Sequence, residues 1–120
     1  MDETVRPVRW VGSSLRDLKT FPRAVQRDIG QAIFAAQCGE DYPPIKALKG
    51  FKGASVLEIV APFDADTYRA VYTVRFGAAI YVLHAFKKKS MKGSKTPKKE
   101  IDLIKIRLEL ARQDHNRRQN

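Results

Sequence analysis

Apolar residues recur at helical spacing early in the chain: Val25, Ile29, Ala32, Ile33 and Ala36 fall at steps of four, three, one and three. That stripe is one face of an amphipathic helix. Pro22 suits its first turn and Gly39 ends it. Before it, Val8 to Val11 reads as a short strand followed by Gly12. Ser14 with Asp17 three residues on opens a short helix with Leu15 and Leu18 as its apolar edge.

The period then changes. Residues 39–54 (GEDYPPIKALKGFKGA) are rich in Gly and Pro and read as loop. Three strands follow: Val56 to Val60, Thr67 to Phe76 and Ala79 to Phe86, with turns around Pro62 to Asp66 and at Gly77. Such short connections predict an antiparallel meander. Thr96-Pro97 is a good cap and first-turn pair for a last helix running to about Arg112, and the polar tail, about 113–120, is expected to fray. At 100° per residue, that helix carries Ile101, Ile104, Leu108 and Ala111 on one side and Leu103, Ile106 and Leu110 on nearly the other. Two stripes predict two partners: the domain's own core and, for the second, either its own helices or another chain. The whole pattern is β-α-α-β-β-β-α, a single α+β domain over residues 1–120.

Composition narrows the class. At 120 residues and 43% hydrophobic, the chain supports one core. No apolar run reaches the roughly 18 residues of a membrane helix, and Met1-Asp2-Glu3 does not begin a signal peptide, so a cytoplasmic protein without membrane partners is expected. One cysteine and two histidines make a poor metal set, and no nucleotide-binding glycine motif or HExxH is present, so neither metal nor cofactor is expected. Cys38, at the end of a helical pattern, reads as a small buried residue rather than a nucleophile. Charge is the strongest signal. Of the net +10, seven charges lie in residues 87–99, where Lys87, Lys88, Lys89, Lys92, Lys95, Lys98 and Lys99 meet no acid. With Lys46 and Lys49 in the 39–54 loop, this field suits the phosphates of a polyanion.

Candidate chemistry follows from the strands. In TYRAVYTVRF a period of two puts Arg69, Val71, Thr73 and Arg75 on one face and Tyr68, Ala70, Tyr72 and Val74 on the other. The second face reads as core; the arginine face suits phosphate. Glu58 is unusual in the apolar run VLEIV and either pairs with Arg69 across the strands or does acid–base work. His84, in YVLHAF, is a hydrogen-bonded strand histidine or a proton carrier. Without a metal, RNA can be cut by attack of its own 2′-hydroxyl on the adjacent phosphate. That needs a proton acceptor, a proton donor and cations about the phosphorane. Arg69, Lys87 and Lys88 suit this chemistry, and crowded ammonium groups repel one another, which eases the use of one as base or acid.

The blocks KALKGFKG, VLEIV, TYRAVYTV, YVLHAFKKKS and TPKKEIDLIKIRL, in this order, resemble the RelE/ParE toxin superfamily, most closely its HigB-like, phage-derived branch. The resemblance runs from about Val8 to Arg112. It implies a RelE-like, microbial-RNase-type fold: an antiparallel sheet with N-terminal helices and a C-terminal helix. It also implies a toxin that cleaves mRNA on the ribosome and inhibits translation, held by a cognate antitoxin that is often a helix-turn-helix protein. On this reading Arg69 corresponds to the family's phosphate-binding strand arginine, and Lys87 and Lys88 to the basic position past the last strand. Lys46, Lys49, Arg75, Lys89, Lys92 and Lys95 would grip RNA, and Leu103, Ile106 and Leu110 would meet the antitoxin. The chain departs from the family in carrying Glu58 where some relatives have lysine, and in having no tyrosine after the last helix. The ParE relatives share the fold but act on DNA gyrase, so a gyrase-directed toxin and a non-catalytic RNA- or DNA-binding module are the competing readings.

Overall fold

A computed structural model describes residues 5–40, 45–51, 55–89 and 95–119, with Lys89 described at its backbone. The elements run β1 (Val8–Trp10), α1 (Ser14–Leu18), α2 (Arg23–Gln37), β2 (Ile45–Ala47), β3 (Val56–Phe63), β4 (Asp66–Thr73), β5 (Ile80–Lys89) and α3 (Lys98–Gln119). They form an α+β architecture around one five-stranded sheet of order β1-β5-β4-β3-β2. The meander β3-β4-β5 is antiparallel as expected. Two features differ from the sequence reading. β1 pairs with β5 in parallel, which makes the sheet mixed. Part of the expected loop, Ile45–Ala47, adds an edge strand antiparallel to β3.

Each face of the sheet has its own cover. On one, Val25, Ile29, Ala32 and Ile33 of α2 pack on Ile59, Tyr68, Ala70 and Tyr72. Burying side chains such as Ile29, which is fully inaccessible, stabilises the fold by roughly 1.5–3 kcal/mol each. On the other face, Ile104 and Ala111 of α3 meet Val71, Tyr81 and Leu83. The face that carries Arg69, Val71 and Thr73 is therefore roofed by α3 rather than open to solvent: Arg69 is 4% exposed and Thr73 0%. A period of two assigns residues to faces but does not say whether a face is covered.

Boundaries shift for local reasons. β4 stops at Thr73 because its hydroxyl donates to Ser55 O at 2.8 Å and accepts from the Arg75 N–H at 3.0 Å, turning the chain before Phe76. The β3–β4 hairpin turns on Asp64 and Ala65, both at positive φ, which is the type I′ geometry that matches strand twist. Thr96 does not cap α3; its hydroxyl goes to Glu58, and the Pro97 carbonyl accepts the N–H groups of Glu100 and Ile101. Cys38, expected to be buried, is exposed at the end of α2, beyond the last turn of the apolar stripe. The tail expected to fray is helical to Gln119. Two contacts hold it: Tyr81 Oη donates to Asp114 at 2.8 Å, and His115 stacks on Phe76 with ring centres 5.2 Å apart. No helix among the described residues is long and apolar enough to cross a membrane.

Candidate functional site

Glu58 is the centre of the arrangement. It lies mid-β3, wholly inaccessible, under the start of α3. Its Oε1 is 3.0 Å from Arg69 Nη1, which reaches it diagonally from β4, and 3.6 Å from Nζ of Lys46, its register partner on β2. Its Oε2 accepts from Thr96 Oγ1 at 2.9 Å. One carboxylate thus ties together two neighbouring strands and the residue leading into α3. Arg69, read in the sequence as a phosphate ligand on an open face, is the inner partner of this ion pair. Both residues position the surroundings from beneath.

Above them is a cavity of about 470 Å³ between the β2 segment and the beginning of α3. Ala47, Leu48, Gly50 and Ile101 give it apolar walls, and Lys46, Lys49 and Lys95 contribute the cations. Lys88 joins indirectly: its ammonium donates to Lys95 O at 2.5 Å, fastening the end of β5 to the approach to α3. The combination of an apolar recess and several ammonium groups can hold a base or sugar with its phosphates outward.

The other predicted residues lie elsewhere. Lys87 sits opposite Tyr68, on the face covered by α2, and is 3.7 Å from Asp66. Arg75 is exposed past the end of β4, its Nε 3.1 Å from Ser55 Oγ, in a different recess beside Phe51 and Arg112. The side chain of Lys89 and the whole of Lys92 lie outside the described residues. Leu103 is half-buried, whereas Ile106 and Leu110 are 60% and 47% exposed. The second stripe of α3 is therefore not core.

His84 belongs to a separate cluster. Two strand spacings, roughly 10 Å, separate it from Glu58 along the row Glu58–Val71–His84. Its Nε2 is 2.6 Å from Glu100 Oε1, and its Nδ1 faces Arg107 Nη1 at 3.4 Å. A guanidinium can only donate, so Nδ1 accepts and the Nε2 proton goes to Glu100. Arg107 also donates to Leu83 O and Ser13 Oγ, both at 3.0 Å. Gly12 makes room for it, since a Cβ there would come within 2.8 Å of the Arg107 side chain. With every ring nitrogen engaged, His84 pins α3 to β5. The sequence reading missed Arg107 and Glu100; the available signal was an arginine lying three residues from Ile104 and four from Ala111, inside the buried stripe.

Sheet, roofing helix and lysine-lined recess define a small basic α+β protein with a cavity suited to an anionic ligand. Residues 16–109 match the family described as "Phage derived protein Gp49-like (DUF891)". The chain belongs to this phage-derived, toxin-like family. No curated protein and no solved structure gave a match.

Proposed function

We propose that this protein is the toxin of a type II toxin–antitoxin pair, HigB-like in kind, which inhibits translation by cutting mRNA on the ribosome without a metal or cofactor. The observation that carries the reading is the convergence of Lys46, Lys49 and Lys95, from two distant segments, on one cavity over the buried Glu58–Arg69 pair. Membership of a toxin-like family supports it. In this reading the lysines hold the scissile phosphate and stabilise the charge that grows as the 2′-oxygen bonds to phosphorus and the P–O5′ bond breaks, while Glu58, Arg69 and Thr96 fix the lysines' supports. The proton lost by the 2′-hydroxyl is matched by one delivered to the leaving 5′-oxygen, giving a 2′,3′-cyclic phosphate and a 5′-hydroxyl. The antitoxin, a helix-turn-helix protein by family resemblance, covers Ile106 and Leu110. The site of action is cytoplasmic.

The experiment is transcript mapping after brief induction, followed by cleavage on purified ribosomes. Lys49→Gln/Lys95→Gln should lower the cleavage rate by about 10²–10³, the usual effect of losing a transition-state contact. Cleavage should persist in EDTA when ribosomes are supplied intact. A folded double variant that cuts at the wild-type rate would refute the assignment, and activity lost to chelation and restored by Mg²⁺ would refute the metal-free route. The internal engagement of Glu58, Arg69 and His84 favours one second reading, a non-catalytic RNA binder. For that, no new transcript ends would appear, and affinity would fall in step with the lysines removed.

A further inference from the structure

A second cleft, of about 450 Å³, lies at the other end of α3, where its last turns pass over the edge strand β1. Arg9 of β1 and Arg117 and Arg118 of α3 line it, against a single acid, Asp114. That acid is already occupied. Its carboxylate accepts from Tyr81 Oη at 2.8 Å, from Arg117 Nη2 at 2.8 Å and from Arg118 Nε at 2.7 Å. Asp114 therefore orients the two α3 guanidiniums, each of which has five N–H donors and uses only part of them on it. Arg9 Nε is buried and has no hydrogen-bond partner among the described residues, so the side chain is not committed through that atom to a neighbour of its own fold. Three guanidiniums and one saturated carboxylate leave a surplus of two positive charges, in the side chain whose planar fork matches phosphate oxygens.

We propose that this cleft is a second RNA site, which grips a backbone phosphate through Arg9, Arg117 and Arg118. The choice of RNA rests on the functional reading above; the phosphate chemistry rests on the cleft alone. Ile101, beside the lysine cavity, and Asp114 are thirteen positions apart on the helix, a span of roughly 20 Å at 1.5 Å per residue. One strand reaching both sites would be held more tightly than at either by itself, because the second contact becomes intramolecular. A mononucleotide would gain no such advantage.

Trp10 lines the cleft and is the only tryptophan in the chain, so its fluorescence is a local reporter. The test titrates the protein with AMP, with a 2′-O-methyl RNA oligonucleotide that cannot be cleaved, and with a poly-glutamate peptide, following both Trp10 emission and the anisotropy of labelled ligand. The oligonucleotide should give a saturable Trp10 change. Arg117→Gln/Arg118→Gln, at side chains 70% and 50% exposed, should stay folded by circular dichroism. It should weaken oligonucleotide binding at least about tenfold and flatten the log–log salt slope by roughly 0.7, the share of one single-strand phosphate. Lys49→Gln/Lys95→Gln should leave the Trp10 response to AMP intact. Oligonucleotide binding by anisotropy with silent Trp10, or an arginine variant that responds like the wild type, would overturn this site while leaving the lysine cavity standing. Poly-glutamate binding as tight as RNA would overturn it in favour of an acidic protein partner. No oligonucleotide binding at all would overturn both the site and the RNA reading of the protein.

Discussion

Arg69→Ala should fail through the fold before it fails through chemistry. The side chain is 5% exposed and its partner Glu58 is 0% exposed, so solvent cannot replace the lost guanidinium. Breaking a buried pair by removing one member typically costs 3–5 kcal/mol, because the remaining charge is desolvated without compensation. Lys46, 3.6 Å away, and the Thr96 hydroxyl still serve Glu58, which places the expected cost near the lower figure, about 3 kcal/mol. A domain's whole stability is usually 5–15 kcal/mol. With a urea dependence of about 1–3 kcal/mol per molar, the midpoint should fall by roughly 1–3 M. The decisive companion is Glu58→Leu/Arg69→Met, in which both charges are replaced by apolar side chains; it should recover most of the loss. Growth arrest should weaken in the single variant; the double variant, which also lacks the Glu58 carboxylate that holds Thr96 and Lys46, should regain stability without regaining full arrest. An unchanged urea midpoint in Arg69→Ala, or a double variant as unstable as the single, would refute the reasoning. Arrest abolished in an Arg69→Ala variant that stays folded at the assay temperature would return Arg69 to the chemistry.

Two further outcomes are expected. The Arg118 hydrogen bond, then that of Tyr81, holds the Asp114 carboxyl down at about 2, below its ordinary 3.8; its contribution to stability is therefore complete above pH 4 and fades as pH falls toward 2. Melting temperature followed across that window should drop less steeply in Asp114→Asn than in the wild type, and parallel curves would remove Asp114 from the acid response. Ile106→Asp, at a position 60% exposed, should shift stability by no more than about 0.5 kcal/mol. In co-expression it should weaken neutralisation by the antitoxin while toxicity remains, and a variant fully neutralised would show that the partner binds elsewhere.

Much of the architecture was legible because strong periodicities carry it. The α2 stripe from Val25 to Ala36 and the alternation of Tyr68, Ala70 and Tyr72 are core as read. The short strand β2 was not legible: Ile45–Ala47 spans three residues beside prolines, and its pairing comes from β3 rather than from its own propensity. Nor does sequence reveal which face α3 roofs, and that changed Arg69 from an open ligand to a buried partner. The Glu58–Arg69 pair itself was one of two readings open to the strand pattern, and the structure forms it. Lys46, Lys49 and Lys95 were legible as basic positions, but their convergence depends on the Thr96–Glu58 bond, a contact 38 residues long in sequence. The α3 tail was misjudged because its anchors, Asp114 and His115, are polar, and polarity alone reads as solvent.

The parallel pairing of β1 with β5 bears on when the molecule becomes competent. Ile80 follows Val8, its partner, by 72 residues. At 5–20 residues per second, about 4–14 s of synthesis pass before β1 has an edge to join. Contacts so distant in sequence also form late in refolding, after the local hairpins. Within that interval α2 and the β3–β4 hairpin can assemble, but the lysine recess needs Lys95 and Ile101, and the arginine cleft needs both β1 and the last turns of α3. Neither recess is therefore complete until nearly all of these residues have been made. The topology delays completion of both recesses until elements from the two ends of the sheet have met.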